Sequence, residues 1–251
     1  MAKLLIFSFS VMILIFISLF IIFKKVKDES KKDKILKVFA VLTVIIHYSS
    51  LWVDYLTTGS AEVENTMLFP IYPCNICMWL LLIVAFMKNK KSFIFKSMAE
   101  FLAIGGTLCG VIGLFANEIF LSTPDFANWD SLKGLLSHST MIFGTLFILT
   151  QGYVKIKAIS LTISCTLGLL LFAVDGGLLI LLFRIFKLPE INIMFMLEFP
   201  LDIKGANFVT LGLLGIIVSF LIGNIFELIF IKKEERWYYQ INRKNKNKQL
   251  E

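Results

Sequence analysis

The side chains best suited to covalent chemistry lie at the start of the third apolar segment of the sequence. Cys74, Asn75 and Cys77 follow Pro73 there, and proline suits the first turn of a helix, where its missing N–H costs nothing. A cysteine in that turn lies near the positive end of the helix dipole, which favours the thiolate. The position therefore makes Cys74 the first candidate nucleophile.

A histidine in the fifth apolar segment could activate this thiol. The imidazole of His138 could accept the proton of Cys74 and produce a nucleophile for acyl transfer. Asp175 or Glu118 could orient the imidazole. The alternative is that Cys74 is a small buried hydrophobe and His138 a helix-packing residue. Spacing alone leaves both interpretations open, because cysteine and histidine so far apart in sequence are not a specific signal.

Cys74 and Cys77 also form a C-x-x-C pattern, which could be a redox pair. A structural zinc site would need about four ligands. We place the two other cysteines, Cys109 and Cys165, too deep in their segments to reach the level of this pair. No metal site is therefore predicted, and Cys77 is interpreted as a packing residue.

Composition indicates which elements must position these residues. Hydrophobic residues make up 57% of the 251 residues, and the mean hydropathy is +0.81, well above that of an ordinary globular domain. The net charge of +7 comes from short basic blocks between apolar segments rather than from a continuous basic surface. The sequence therefore predicts an integral membrane protein that binds no nucleic acid, and it indicates no protein partner.

Seven apolar segments are each long enough for a transmembrane helix of about 20 residues. They lie at about 3–23, 35–57, 69–87, 97–121, 134–152, 158–186 and 208–231. The fold class is therefore all-α, a polytopic bundle of seven transmembrane helices. Residues 1–34 supply the first helix and a basic loop, residues 35–231 a six-helix core, and residues 232–251 a basic tail.

Charge in the loops predicts the orientation of the chain in the cell membrane. The loops after the first, third and fifth segments and the C-terminal tail are rich in lysine, whereas the intervening loops are not. The positive-inside rule then places the N-terminus outside and the C-terminus inside. In that orientation most ionisable residues within the segments fall in the outer half of the bilayer, which predicts a polar cavity open to the outer leaflet or to the outer face.

Two further features concern packing. Glycines in the fourth and seventh segments predict close helix contacts; they are Gly105, Gly106, Gly110, Gly113, Gly212 and Gly215.

The loop 187–208 is too apolar for an ordinary solvated loop, and this predicts a re-entrant or interfacial segment that packs against protein.

Several stretches resemble a known family. The stretch 69–76, Phe-Pro-Ile-Tyr-Pro-Cys-Asn-Ile, resembles the Leu-Pro-Leu-x-x-Cys-(Asp/Asn)-Ile signature of the YwaF-like integral membrane proteins of Gram-positive bacteria. That family is similar to the animal transmembrane-protein-164 acyltransferases. Further stretches match in the same order, namely the glycine-bearing 105–113 with Glu118, Ser122–Asp125, Leu136–His138, and Asn192–Phe195 with Pro200.

The resemblance implies a function. The animal members transfer fatty acyl chains between phospholipids with a cysteine nucleophile and a histidine, and their motif positions fall on Cys74 and His138. We therefore expect an acyltransferase or transacylase that forms a thioester on Cys74 in the outer half of the bilayer. Asn75 or Asn117 would donate hydrogen bonds to the oxyanion. Membrane phospholipids would be the substrates, and a phospholipid donor requires no cofactor.

Two alternatives come from other functional classes. The first is a transporter or small-molecule-binding membrane protein whose outward-facing polar cavity binds its ligand without covalent chemistry. The second is a membrane thiol oxidoreductase, which would require Cys77 as well as Cys74.

Overall fold

The structure is a computed structural model that describes residues 2–59, 69–117, 120–121, 125–189, 191–197 and 207–241. All regular secondary structure in these ranges is helical. The chain divides into two compact units, Met1–Tyr153 and Val154–Glu251. Nothing in the sequence pattern indicates this division.

The longer helices follow the predicted segments in order. They are α1 (Ala2–Lys25), α2 (Glu29–His47), α3 (Ser49–Thr58), α4 (Pro73–Phe86), α5 (Phe93–Phe101), α6 (Thr107–Phe115), α7 (Trp129–Thr150), α8 (Ala158–Ile185) and α9 (Phe208–Phe230). A π-helical turn, Leu102–Gly106, joins α5 to α6, and short 3-10 helices lie at Ile193–Phe195 and Lys233–Glu235.

Within the described ranges, five of these helical stretches are long and apolar enough to cross a membrane, or six if α2 and α3 form one bent span. The third predicted span is shorter than expected, because its helix α4 has only 14 residues. At 1.5 Å per residue that is about 21 Å, against about 30 Å of hydrocarbon. The chain is thus a multi-pass membrane protein.

The second predicted span is two helices rather than one. The axis bends by 46° between α2 and α3. Side chains of α7 hold the second of these helices at its start: the indole N–H of Trp129 donates to Ser49 Oγ at 2.9 Å, and Lys133 Nζ donates to Ser50 Oγ. His47 therefore ends a helix at this bend.

The fourth predicted span ends earlier than the expected residue 121. Its helix α6 ends at Phe115, and Ala116 leaves the helical conformation with φ −118° and ψ 41°. Asn117 then accepts the backbone N–H of Phe120 through Oδ1 at 2.9 Å. Residues near the end of α6 are consequently closer to the helix terminus than the sequence predicts.

Helix α7 lies at the centre of the first unit, where α6 and the π-helical turn before it approach closely. A Cβ on Gly106 would lie 3.0 Å from Thr145 Cγ2, and one on Gly110 only 2.6 Å from Ile142 Cγ1. The hydroxyl of Thr107 donates to that of Thr145 at 2.9 Å. These contacts confirm that glycines of the fourth segment permit close helix packing.

Polar contacts join the start of α2 to the loops that follow α4 and α7. Tyr153 donates its hydroxyl proton to Asp33 Oδ1 at 2.6 Å, and Lys90 forms an ion pair with the same carboxylate. The Lys90 ammonium also lies 4.5 Å from the centre of the Tyr153 ring. Burial and the bond to the Asp33 carboxylate raise the pKa of Tyr153, so the phenol stays a donor.

In the second unit, α8 and α9 meet at a glycine that the sequence analysis did not single out. A Cβ on Gly223 would lie 2.5 Å from the Ala158 Cα. One turn later, the carboxylate of Glu227 accepts the backbone N–H of Ala158 at 2.9 Å and that of Trp237 at 3.1 Å. Among the described residues, no atom lies within 4 Å of the Cβ position of Gly212, so they show no close packing at this glycine.

Part of the predicted re-entrant loop does fold back on α8. A Cβ on Gly176 would lie 2.5 Å from Met196 Sδ and 3.1 Å from Met194 Cγ. Gly176 precedes the end of α8 by nine residues, a rise of about 14 Å. Met194 and Phe195 have φ of 53° and 55°, a left-handed conformation that is costly for these residues. The segment 191–197 therefore packs against protein.

The Glu227 contacts predict a stability effect. Glu227→Ala leaves the buried N–H of Ala158 and the partly buried N–H of Trp237 without their acceptor, so we expect a loss of about 1–3 kcal/mol in the free energy of unfolding. Glu227→Gln retains one acceptor oxygen and should lose less. Denaturant unfolding in detergent measures both. The exposed Glu234 provides the control, since Glu234→Ala should leave stability unchanged; equal losses for Glu227→Ala and Glu234→Ala would contradict the role of Glu227.

Candidate functional site

Cys74 is the second residue of α4, and its thiol is held by the next side chain. The Cys74 Sγ–H donates to Asn75 Oδ1 at 3.3 Å. The other end of the amide, Asn75 Nδ2, lies 3.5 Å from His47 Nε2. Asn75 is only 4% exposed. A chain of three polar side chains thus joins the start of α4 to the bend after α2.

His47 was not among the site residues predicted from the sequence. One signal could have identified it, because the chain has only two histidines and both lie in apolar segments. The exact helix break that presents the imidazole to Asn75 is a tertiary feature. The ring of Tyr48, at the break, meets the imidazole edge to face with centroids 5.0 Å apart.

His138 lies in the middle of α7, and its imidazole occupies the space beside Gly113 of α6. A Cβ on Gly113 would lie 2.3 to 2.6 Å from three atoms of the ring, so no residue larger than glycine fits there without movement. His138 is also near enough to His47 for the two imidazoles to interact electrostatically. Cys74 and His138, both within the described part of the chain, share no hydrogen bond.

The expectation that Cys109 lies too deep to reach the cysteine pair is wrong. Cys77 and Cys109 lie near enough for their side chains to interact, and Cys74 is also close enough to Cys109 to interact with it electrostatically. The reason is the early end of α6. Cys109 lies six residues, about 9 Å, from the end at Phe115, and Cys77 lies four residues, about 6 Å, from the start of α4.

Helix α6 therefore brings the thiols and the imidazole together. Cys109 and Gly113 are four residues apart, so they lie on the same face of α6 in successive turns. Cys74 and Cys77 approach the first of these turns, and His138 packs on the second. The predicted nucleophile and base thus lie against neighbouring turns of one helix.

The remaining predicted site residues have other positions. Asn117 donates from Nδ2 to the Gly113 carbonyl at 3.4 Å and accepts from Phe120, so it closes the end of α6. Asp175 belongs to the second unit, on α8, where its Oδ2 is buried without a hydrogen bond from any described residue. Glu118 lies outside the described residues.

No group of three or more His, Cys, Asp or Glu side chains in the described ranges has the arrangement of a metal site. The side chains gathered here are two imidazoles, an amide and three thiols, and a thiol beside an imidazole can serve nucleophilic catalysis.

Comparison with known protein families extends this description. The model of the TMEM164 family matches residues 1–234, which is nearly the whole chain. This chain belongs to the TMEM164 family. The match confirms the resemblance drawn from the sequence motifs and covers α1 to α9 of this family member. Among curated proteins and among solved structures, none is similar enough to the chain to count as a match.

The fit of His138 against Gly113 predicts the effect of one added methyl group. Gly113→Ala has to displace the imidazole or separate α6 from α7, so we expect a loss of about 1–3 kcal/mol in the free energy of unfolding. Unfolding in detergent is the measurement. Gly177→Ala is the matched control, because its Cβ meets no atom of the described residues within 4 Å, and this substitution should stabilise α8 by up to about 1 kcal/mol. A Gly113→Ala variant as stable as the parent protein would contradict this fit.

Proposed function

We propose that this TMEM164-family protein is a membrane acyltransferase or transacylase that moves fatty acyl chains between lipids, or onto a lipidated acceptor, through a thioester on Cys74. The observation that carries the proposal is the placement of the Cys74 thiol. It lies in the first turn of a helix, within an apolar bundle, against the same face of α6 as His138. Such a site offers a nucleophile and a base where acyl chains are already concentrated.

The proposed reaction has two steps. In the first, Cys74 Sγ attacks the ester carbonyl of a phospholipid, His138 takes the thiol proton, and the proton passes to the departing alcohol of the lysophospholipid. In the second, an acceptor hydroxyl attacks the thioester, His138 removes its proton, and the Cys74 thiolate leaves and is reprotonated. No oxidant, reductant or cofactor is consumed.

Supporting roles are proposed for three more residues. Asn75 and Asn117 are the proposed oxyanion donors, and Glu118 is the proposed carboxylate that orients His138. Asn75 and Asn117 each have an amide N–H directed at a protein acceptor in this structure. Each would therefore have to exchange that acceptor for the oxyanion.

The proposal includes a topology. We place the protein in the cell membrane with seven crossings, the N-terminus outside, and the site in the outer half of the bilayer. The basic loops and tail support this orientation. The bent pair α2–α3 and the short α4 would supply the second and third crossings.

The topology can be measured with reporter fusions in a bacterial host. A fluorescent protein that folds only in the cytoplasm should be bright when fused after Glu251, and alkaline phosphatase fused there should be inactive. The two reporters should give the opposite result when inserted beside Asp125, which is exposed between α6 and α7. The same result at both positions would contradict the proposed arrangement.

The covalent step predicts an acyl adduct. Purified protein incubated with phospholipid vesicles should gain the mass of one fatty acyl group on the peptide containing Cys74, removable by hydroxylamine. Cys74→Ala should abolish the adduct, and His138→Gln should slow its formation by about 100-fold or more, the usual contribution of a general base. Intact-protein and peptide mass spectrometry measure both effects.

Cys165→Ala is the matched control, because this cysteine lies in the second unit, and the adduct should persist. No adduct in the parent protein, together with full lipid-remodelling activity of Cys74→Ala and His138→Gln, would rule out the proposed mechanism. A binding protein or transporter would keep its function in Cys74→Ser. A thiol oxidoreductase would lose its function in Cys77→Ala, which the acyltransferase should tolerate.

A further inference from the structure

The amide of Asn75 lies between two groups whose hydrogen-bonding roles can change. Its Oδ1 accepts from the Cys74 thiol at 3.3 Å, and its Nδ2 faces His47 Nε2 at 3.5 Å. A thiol can lose its proton, and an imidazole nitrogen is a donor or an acceptor according to its tautomer. Rotation of the Asn75 amide exchanges the positions of its oxygen and nitrogen, so the amide can present an acceptor or a donor to each neighbour.

Two arrangements satisfy both ends of the amide. When His47 Nε2 carries no proton, it accepts from Asn75 Nδ2, and Oδ1 is left to accept from the Cys74 thiol. When Nε2 carries a proton, it donates to Oδ1, and Nδ2 turns to donate to the sulfur. The first arrangement favours the neutral thiol and the second favours the thiolate, because a hydrogen bond stabilises the form that can make it.

Because the Asn75 amide is buried, leaving either of its ends without a hydrogen-bond partner is costly. Asn75 is 4% exposed, so water cannot readily replace a missing partner. A buried donor or acceptor left unsatisfied costs about 1–3 kcal/mol. Whether His47 Nε2 carries a proton therefore affects the hydrogen bond at Cys74, although the two residues share no direct hydrogen bond.

We propose that His47 is a positioning residue that sets the orientation of the Asn75 amide and thereby decides whether Cys74 faces a hydrogen-bond acceptor or a donor. No proton passes through the amide in this scheme. The inference rests on the proposed function only for its consequence, which is that the thioester-forming cysteine is held as a thiol until the amide turns.

Other groups share the surroundings of His47. Lys133, which forms an ion pair with Asp130, and His138 face it from α7. Tyr48 contacts the ring at the helix break, and Cys74 with Asn75 approaches from α4. Because several of these groups titrate, the test is made at one fixed pH and relies on coupling between two substitutions.

The test is a double-mutant cycle on the alkylation rate of Cys74. Full-length protein in vesicles is treated with N-ethylmaleimide at fixed pH, and peptide mass spectrometry follows modification of Cys74 separately from that of the other cysteines. His47→Phe removes the acceptor for Nδ2, so the amide should turn its donor to the sulfur and accelerate alkylation about three- to tenfold, the value of one hydrogen bond. In an Asn75→Ala background, His47→Phe should change the rate less than about twofold.

Tyr48→Phe is the matched control, since it keeps the ring beside the imidazole and should leave the rate unchanged. His47→Leu repeats the cycle without an aromatic ring, and the same coupling is expected. Equal effects of the His47 substitutions with and without Asn75, or no effect in either background, would overturn the proposal. The alkylation rate requires no acyl transfer, so an absent acyl adduct in the earlier experiment would refute the thioester mechanism and leave this result independent.

Discussion

The close approach of α6 to α7 is the contact on which the candidate site depends. Gly106, at the end of the π-helical turn, and Gly110 and Gly113 of α6 all face α7, and at each one a methyl group would meet an atom of α7 at 3.0 Å or less. In a lipid environment, helices associate through such van der Waals contact and through hydrogen bonds rather than by hydrophobic exclusion from water. The last glycine also provides the space that the His138 imidazole fills.

Many polar side chains of the first unit are hydrogen-bonded within their own helix or in pairs, as a medium without water favours. The hydroxyls of Ser137, Ser139, Thr140 and Thr145 donate to backbone carbonyls of α7 itself. The pairs Thr43–Thr140 and Thr107–Thr145 link α7 to α2 and α6 at 3.1 and 2.9 Å. The amide between Cys74 and His47 follows the same rule. It differs in having partners whose protons can move, which is what makes that group a candidate for chemistry rather than for packing alone.

The π-helical turn at Leu102–Gly106 and the early end of α6 decide which side chains face the cysteines. A π-turn inserts an extra residue into a helix and rotates the next turns about the axis, and such turns are frequent at functional sites. An ideal helix drawn from 97 to 121 places Cys109 near the membrane midplane. Because the helix actually ends at Phe115, Cys109 is closer to the helix terminus and lies near Cys77 instead.

The sequence by itself determined the helical membrane class, the order of the helices, the importance of the glycines in the fourth segment and the candidates Cys74 and His138, because hydropathy and small-residue spacing act locally along the chain. It did not determine the break after His47, the short length of α4 or the division into two units. Those depend on contacts made from other helices, such as Trp129 on Ser49 and Glu227 on Ala158. Tertiary structure alone brought Asn75 to His47, since the residues are 28 positions apart and their meeting requires two helices to pack at one depth.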